Sequence, residues 1–306
     1  AGLYFYKKAV ALQKEYNHSG KKIINGIQTN GTLLNEEWCR FLSEEQFVVG
    51  ISVDGPEALH DVYRVTRDGK PTFRKVLHGY DLLVVHGIDP EILCVVNVHN
   101  VKYPLEVYRY FRELGTPYIT FIPLVEKKPG TPVAVSPMSV PAEDFGIFLC
   151  TIFDDWIKHD IGKVKVQIFE EALRTAFNQE HTLCIFRPVC GAVPVVEHNG
   201  NFYSCDHFVD DDHYLGNLGG RSLEYYLDSR MQRAFGMAKL DTLPAYCLNC
   251  EVRDMCNGEC PKNRFILTPD GEPGLNYLCA GYKKFFNHCR PFVEAVATVH
   301  RQKKGI

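Results

Sequence analysis

Cysteine is the residue type whose number and spacing in this sequence point most directly to chemistry. The chain has 12 cysteines among 306 residues, and most of them follow Thr182. Four are crowded into one run, in which spacers of two, five and three residues separate Cys247, Cys250, Cys256 and Cys260. Because thiolate sulfur binds zinc and iron–sulfur clusters, the run predicts a metal centre.

The spacers within this run distinguish between kinds of metal centre. Two zinc knuckles need a dozen or more residues between their cysteine pairs, since each pair forms its own turn, and five residues are too few. The nearest pattern is the ferredoxin run C-x2-C-x2-C-x3-C-P, whose fourth cysteine binds a second cluster, and Pro261 follows Cys260 here. A pair of zinc sites and a disulfide-stapled lobe are the alternatives, of which the second disagrees with a reducing cytoplasm.

If the run follows the ferredoxin pattern, its first three cysteines and its fourth belong to different clusters, and each group needs further cysteine ligands. Cys260 needs three upstream thiolates, and the three cysteines that precede it need one more. The count closes at two sites of four thiolates each: Cys184, Cys190, Cys205 and Cys260, and then Cys247, Cys250, Cys256 and Cys279. The other cysteines lie in apolar helix or strand patterns and are interpreted as inert core residues: Cys39, Cys94, Cys150 and Cys289.

Before this region, from Ala1 to about Ile122, the sequence alternates helical and strand-like stretches. Strands are predicted at 23–29, 47–53, 92–98 and 118–122, with helices between them at 73–86 and 104–114. Strands separated by helices indicate βαβ units and a parallel sheet or barrel, which is an α/β fold. Active sites of such folds lie at the carboxyl ends of the strands, where this chain has polar residues that turn chemistry also explains: Thr29, Asn30, Ser52, Asp54 and Asn97.

Composition limits the kinds of partner. Hydrophobic residues make up 45% of the chain and charged residues 23%, which are ordinary globular values. The formal net charge of -3 gives no electrostatic reason to expect nucleic acid or an anionic membrane as partner. No apolar run of about eighteen residues could span a bilayer, and the first residues do not have the layout of a secretory signal. We therefore expect a cytoplasmic protein.

The sequence resembles the radical S-adenosylmethionine enzymes that carry a SPASM domain, and among them the anaerobic sulfatase-maturating enzymes. The order Cys190-x9-Gly200-x4-Cys205, followed by the cysteine run and Cys279, matches the SPASM signature. The extra Cys184 gives the first auxiliary cluster a full set of protein ligands. The likeness covers essentially the whole chain, and its other motifs lie at residues 27–34, 50–56, 60–64, 203–209 and 215–217.

The resemblance implies a fold and a reaction. The fold is a partial radical-SAM (β/α)6 barrel followed by a C-terminal cysteine-rich SPASM domain. Its boundaries are predicted at 1–140 for the partial barrel, 141–180 for a helical connection and 181–306 for the SPASM domain. The reaction converts a cysteine or serine of a sulfatase polypeptide to formylglycine, with an electron donor such as flavodoxin or ferredoxin.

The resemblance also assigns residues. Each of the two four-cysteine sets would hold one [4Fe-4S] cluster. Ser52, Arg64 and Val125 stand where family members contact S-adenosylmethionine, Arg64 being suited to its carboxylate by its forked donors. Asp206 matches the proposed general base of the family. A turn is the alternative explanation of Ser52, and an exposed ion pair that of Arg64.

One departure from the family pattern is expected to decide activity. The family holds its radical-generating [4Fe-4S] cluster with a CxxxCxxC motif, followed by a Gly-Gly-Glu-Pro segment, and neither occurs in these 306 residues. The sequence therefore predicts an N-terminally truncated barrel that lacks its first two strands and does not cleave S-adenosylmethionine as given. Two alternatives stay open: a SPASM enzyme that forms thioether or carbon–carbon links in a ribosomal peptide, and a non-enzymatic metal or electron-transfer protein.

Overall fold

The computed structural model describes residues 2–131 and 133–305. Within it the chain forms two compact units. The first comprises Ala1–Leu124 and Asp154–Gln167, and the second comprises Val125–Phe153 and Ile168–Ile306. The domain boundaries predicted at 140 and 180 concern sequence domains and stay a prediction.

The first unit is built on a parallel sheet, so the predicted α/β class is confirmed. Among the described residues the sheet has five strands, whose spatial order is their order along the chain. Every neighbouring pair is parallel, so the carboxyl ends of the strands share one edge. The strands are β1 (Gly26–Thr29), β2 (Val48–Ser52), β3 (Glu91–Val96), β4 (Tyr118–Pro123) and β5 (Lys165–Val166). The short β5 was not predicted from the sequence.

A row of buried isoleucines fixes the register of this sheet. Ile51 pairs with Ile92, and Ile92 pairs with Ile119. All three are completely buried. A slip of one residue would turn these side chains to the other face of the sheet, so the same register also fixes Ser52 beside Leu93.

The helices predicted at 73–86 and 104–114 are present, the first one residue shorter at its end, whereas the short helix at 57–60 was not predicted. Asn35, a residue type favoured at this position, caps the second helix by accepting a 3.0 Å hydrogen bond from the Trp38 amide. The fifth helix ends at Gly115, which adopts a left-handed conformation with φ of 83°. The helices are α1 (Leu3–Tyr16), α2 (Glu36–Glu44), α3 (Glu57–His60), α4 (Phe73–Val85) and α5 (Pro104–Leu114).

The second unit combines helices with short antiparallel strands. The longer helices are α6 (Ala142–His159, its first part in this unit), α7 (Gln167–Ala176), α9 (Arg230–Asp241) and α12 (Cys279–Lys304). The short helices are α8 (Leu223–Leu227), α10 (Ala245–Leu248) and α11 (Arg253–Cys256). The strands β6 (Val195–Val196), β7 (Asn201–Tyr203) and β8 (Tyr214–Asn217) form one sheet, and β9 (Ile266–Leu267) pairs with β10 (Pro273–Leu275).

Two glycines allow α6 and α12 to approach closely. A Cβ atom on Gly281 would lie 2.1 Å from the carbonyl oxygen of Ala142, and one on Gly146 would lie 2.7 Å from Gly281 Cα. This contact fixes the first turn of α12, which begins at Cys279. Small residues are therefore required here because two backbones meet without space for a side chain.

The cysteines predicted to be core residues differ among themselves. Cys39, Cys94 and Cys289 are buried, as predicted, whereas Cys150 on α6 is partly exposed. In the described part of the chain, no helix is both long and apolar enough to cross a membrane.

Candidate cofactor and cluster sites

Asp54 and Arg64 form a nearly buried ion pair at the carboxyl edge of the parallel sheet. Asp54, two residues beyond the end of β2, is 4% exposed. Its Oδ2 accepts a 2.5 Å hydrogen bond from Nε of Arg64, and its Oδ1 accepts one of 3.0 Å from Nη2. The amide of Val95 on β3 donates to the same Oδ1 at 2.8 Å. Asp54 therefore ties the guanidinium of Arg64 to the ends of two neighbouring strands.

The ion pair determines which part of Arg64 can meet a ligand. The Nε–Nη2 edge faces Asp54, which leaves the Nη1–Nη2 edge of the fork for a carboxylate. The Arg64 side chain is only 22% exposed and that of Asp54 5%. The pair is thus more buried than the exposed ion pair that the sequence offered as the alternative role of Arg64.

Hydrogen bonds through His60 and Thr72 also connect the backbones of Asp54 and Arg64. The fully buried ring of His60 accepts from the Asp54 amide through Nδ1 at 3.3 Å. Its Nε2 lies 3.2 Å from the Thr72 hydroxyl, which donates to the Arg64 carbonyl at 2.6 Å. Burial lowers the pKa of His60 although Asp54 opposes it, which agrees with a neutral ring protonated on Nε2.

The other two residues assigned to S-adenosylmethionine differ in position. Ser52 is the last residue of β2 and is half-buried, at the same sheet edge as Asp54. Val125 is buried and follows the end of β4 by two residues. It is the first residue of the second unit.

The first cysteine set consists of Cys184, Cys190, Cys205 and Cys260. Its thiols are close enough that charge on one raises the pKa of another: Cys184 acts on Cys190 and on Cys205. Cys190 and Cys205 in turn act on Cys260. Burial is the main cause that raises the pKa of each, to about 12 for Cys205 and for Cys260. The members of this predicted set therefore lie near enough to interact electrostatically, and their role as cluster ligands stays a prediction.

The second cysteine set consists of Cys247, Cys250, Cys256 and Cys279. All four line one pocket with about 410 Å³ of empty space, part of it open to solvent. Burial again raises the pKa of every thiol, to about 12 for Cys279. This predicted set is also brought together.

Both sets have features that suit iron–sulfur clusters. Clusters bind thiolates, and backbone N–H groups that face the sulfurs oppose the effect of burial on the thiol pKa. In each such contact among the described residues the donor is the residue two positions after the cysteine: His207 for Cys205, Val252 for Cys250, Gly258 for Cys256 and Lys262 for Cys260. No group of three or more His, Cys, Asp or Glu residues within 2–131 and 133–305 is arranged to hold a metal ion. The fit of the second set therefore rests on its pocket and its N–H groups, and that of the first set on its N–H groups.

One face of α9 holds three segments of the first cysteine set. Gln232 Nε2 donates to the carbonyls of Gly191 and Ser204 at 2.9 and 3.2 Å. The carbonyl of Gly236 accepts the Cys190 amide at 3.0 Å. One turn further on, Lys239 binds the segment at Cys184. These α9 residues are four and three positions apart, which places them on one stripe of the helix.

Asp206 lies next to the first cysteine set on the exposed side. Its Oδ1 accepts a 3.2 Å hydrogen bond from the thiol of Cys205, the preceding residue. The carboxylate is exposed to solvent. Asp206 is thus accessible, as a base that acts on an external substrate must be.

Several residues of these sites were not predicted from the sequence. They are Gln232, Lys239, Glu259, Arg264 and Asn276, all of which lie close to the cysteine sets. On α9 the sequence shows polar residues at helical spacing, Gln232 and Lys239, but it does not show that they are buried. Hydrophobicity patterns do not reveal it, because a polar stripe is ordinarily interpreted as a solvent-facing surface.

The comparisons with known proteins agree with both units. A family model described as the radical SAM superfamily matches residues 2–102, and one described as SPASM, an iron–sulfur cluster-binding domain, matches residues 184–251. The second range ends before Cys256, Cys260 and Cys279.

Relatives match over nearly the whole chain. The serine-type anaerobic sulfatase-maturating enzyme of Bacteroides thetaiotaomicron is 45% identical over 305 residues, which cover 95% of this chain and 73% of that protein. The cysteine-type enzyme of Clostridium perfringens is 32% identical, with 97% and 80% covered. A solved structure described as native anSMEcpe with bound AdoMet and Kp18Cys peptide has a TM-score of 0.87 at 32% identity, covering 97% of this chain and 82% of that one. The chain therefore belongs to the anaerobic sulfatase-maturating enzymes, a family of radical SAM oxidoreductases.

Proposed function

We propose that this chain takes part in converting a serine or cysteine of a sulfatase polypeptide to formylglycine, using S-adenosylmethionine and two [4Fe-4S] clusters held by its two cysteine sets. The observation that carries the proposal is the position of Asp206, an exposed carboxylate directly beside a ligand of the first set. It is supported by 45% identity to a serine-type maturating enzyme.

The cofactors and the protein divide the chemistry. When bound, S-adenosylmethionine and its cluster supply a radical that removes a hydrogen atom from the substrate β-carbon, and the auxiliary clusters supply an electron acceptor. Asp206 accepts the proton of the substrate hydroxyl or thiol, since a carboxylate within hydrogen-bond reach is a competent general base. As a cluster ligand, Cys205 would be a thiolate and would donate no proton to Asp206, which would leave the carboxylate available to the substrate.

The residues of the first unit hold S-adenosylmethionine in this proposal. The free edge of the Arg64 guanidinium binds its carboxylate in two hydrogen bonds. Asp54 fixes the direction of that edge, because it occupies the other one. Ser52 offers a hydroxyl at the same sheet edge, and the contact predicted for Val125, a residue of the second unit, stays a prediction.

We place the reaction in the cytoplasm with flavodoxin or ferredoxin as electron donor. Support for the compartment comes from the cysteines, whose use as metal ligands needs a reducing environment.

The activity assay must supply a radical-generating cluster, because these 306 residues contain no CxxxCxxC motif. The chain is fused to the CxxxCxxC-bearing segment of a family member, reconstituted anaerobically with iron and sulfide, and incubated with S-adenosylmethionine, dithionite and a sulfatase peptide. Serine is tested first, since the 45% identical relative is serine-type. The expected product is a peptide that has lost two hydrogens and reacts with hydrazides as an aldehyde.

Asp206→Asn should abolish formylglycine formation while leaving cleavage of S-adenosylmethionine and iron content unchanged. Asp212→Asn is the matched control, since Asp212 is also exposed and lies in the same region of the chain. Normal activity of Asp206→Asn would reject Asp206 as the base. Cleavage of S-adenosylmethionine without modification of any serine or cysteine peptide would contradict the proposed function itself.

A further inference from the structure

Lys239 is a lysine that is buried beside the first cysteine set. Its side chain lies on α9, and the residue is 1% exposed. In the part of the chain that the structure describes, its ammonium makes no ion pair, and its recorded hydrogen bonds go to the carbonyl oxygens of Cys184 and Ile185 at 2.8 and 2.7 Å. Buried charges are almost always balanced by an opposite charge. Two carbonyl groups do not provide one.

The groups that act on this charge are the thiols of the first cysteine set and the buried carboxyl of Glu259, whose pKa burial raises. The ammonium acts electrostatically on the thiols of Cys184 and Cys190. Cys190 and Cys260 are in turn among the groups that act on Lys239. The lysine is therefore adjacent to three of the four members of this set.

Two other basic residues lie near the second cysteine set, and one of them is shared with the first. Arg264 acts on Cys247 of the second set and on Cys190 of the first, and Lys283 acts on Cys279. Lys283 is already paired with Glu251 at 3.2 Å and is only half-buried. Lys283 acts weakly, as a paired or solvated charge does, and Arg264 is common to both sets, so Lys239 is the cation that distinguishes the first set.

We propose that Lys239 is the buried counter-cation of the cluster held by Cys184, Cys190, Cys205 and Cys260, and that it raises the reduction potential of this cluster above that of the other. The inference rests on the proposed function only in requiring that both clusters are bound. A cluster held by four thiolates is an anion, and reduction adds negative charge. A buried cation at its ligands therefore favours the reduced form, in line with the control of cluster potential by local charge and burial.

The consequence is a direction for electron transfer within the second unit. The better acceptor is the cluster beside Asp206, where the proposed reaction releases its electron. The other cluster is then the poorer acceptor. Lys239 thus acts on the reduction potential of the cluster and does not contact the substrate.

The test measures the potential of each cluster separately. In one background, Cys247→Ala with Cys250→Ala removes the second site; in the other, Cys184→Ala with Cys190→Ala removes the first. Each reconstituted chain is titrated with dithionite, and the reduced cluster is followed by electron paramagnetic resonance. Lys239→Met should lower the equilibrium constant for reduction of the first cluster at least tenfold, which is about 59 mV for one electron. The second cluster should keep its potential.

Three further variants distinguish the effect of the Lys239 charge on the cluster potential from the effect of its hydrogen bonds. Lys239→Arg keeps the cation and should keep the potential close to that of the wild-type chain. Lys239→Gln retains a donor for the carbonyl oxygens without the charge and should show the same fall as Lys239→Met. Lys284→Met removes an exposed lysine of α12 and should change neither potential.

Two results would contradict the role proposed for Lys239. An unchanged first-cluster potential in Lys239→Met or Lys239→Gln would overturn the proposal. So would loss of the first cluster from both neutral variants, which would leave Lys239 with a structural role. These readouts do not depend on formylglycine formation, so a failed activity assay and a failed potential measurement are distinguishable.

Discussion

Nε of Arg264 donates a 2.9 Å hydrogen bond to the carbonyl oxygen of Gly258, the middle residue of the linker between the two cysteine sets. That linker joins Cys256 of the second set to Cys260 of the first. Nη2 of the same guanidinium donates to the carbonyls on either side of Gly258, at 3.0 and 3.2 Å. All three linker residues are left-handed, with φ of 48°, 71° and 52°. One cation thus stabilises a backbone conformation that is otherwise unfavourable.

Replacing Arg264 by leucine should disturb both cluster sites together. The variant leaves carbonyl groups without donors in a largely buried place, at a cost of about 1–3 kcal/mol for such a group. We expect a lower free energy of unfolding in the metal-free chain and less iron bound at both sites after reconstitution. Arg233→Leu, an exposed arginine on α9, is the control. Full iron content in Arg264→Leu would show that the linker keeps its shape unaided.

Gly258→Ala tests the same linker without removing a charge. A Cβ atom at this position would lie 2.4 Å from Cδ2 of Leu243 and 2.7 Å from Nη2 of Arg264. Gly271 is a matched control, since its φ of +86° is also left-handed but its Cβ would meet nothing within 4 Å. Both variants pay the left-handed penalty of about 1–2 kcal/mol.

Only Gly258→Ala adds a steric collision, so chemical denaturation should show it to be less stable than Gly271→Ala by about 1–3 kcal/mol. Equal losses of stability in the two variants would mean that the side chains of Leu243 and Arg264 move away from the new Cβ atom without destabilising the chain.

The Asp54–Arg64 pair should contribute measurably to the stability of the first unit. Asp54→Asn leaves the guanidinium partly buried without its counter-charge, and breaking such a pair costs about 3 kcal/mol. Glu57→Gln is the control, because Glu57 pairs with Arg74 at 3.1 Å with side chains 51% and 88% exposed. Exposed pairs contribute about 0–1 kcal/mol. Urea unfolding of the two variants compares them directly, and similar losses would show that the buried pair is as weak as the exposed one.

A pH dependence should arise from Glu171 and His181, whose side chains are nearly inaccessible and 2.9 Å apart. Burial opposes the charge of His181, but its hydrogen bonds to Glu171 and to the Asp254 carbonyl outweigh that effect, so its pKa is raised. Burial also opposes the charge of Glu171, and hydrogen bonds from His181, Thr182 and Leu183 outweigh it, so its pKa is lowered. The pair is thus held in its charged form.

The signs of these shifts define the pH window. The contribution of His181 is complete below its unfolded value of 6.5 and is lost as pH rises through its raised pKa. The contribution of Glu171 is complete above 4.5 and is lost as pH falls through its lowered pKa. The pair should therefore stabilise the chain most between pH 4.5 and 6.5.

His181→Asn checks this window through unfolding free energies measured across the pH range. The difference from the wild-type chain should be largest inside the window and should shrink in alkaline solution. His198→Asn, at a side chain that is 91% exposed, should show no such trend. A difference for His181→Asn that does not vary with pH would show that the pair contributes by packing alone.

Much of the architecture followed from the sequence because its signals are local. Pro104–Leu114 begins at a proline and ends before a glycine, and the helix has the predicted bounds. The cap of α2 is local as well, since the Asn35 side chain accepts from the amide three residues further on. The short β5 escaped prediction because two residues carry no periodicity and pair only when β4 is in place.

The cysteine spacing by itself predicts which thiols belong to the two metal sites, since a short spacer with a following proline limits where each sulfur can point. Tertiary structure alone decided what surrounds them. Lys239 is some fifty residues from Cys184 in sequence, and Arg264 holds the linker through carbonyl groups, which every residue possesses. Sequence patterns report side-chain type and spacing. They do not report which backbone carbonyl a distant cation will reach, because chain folding sets that distance.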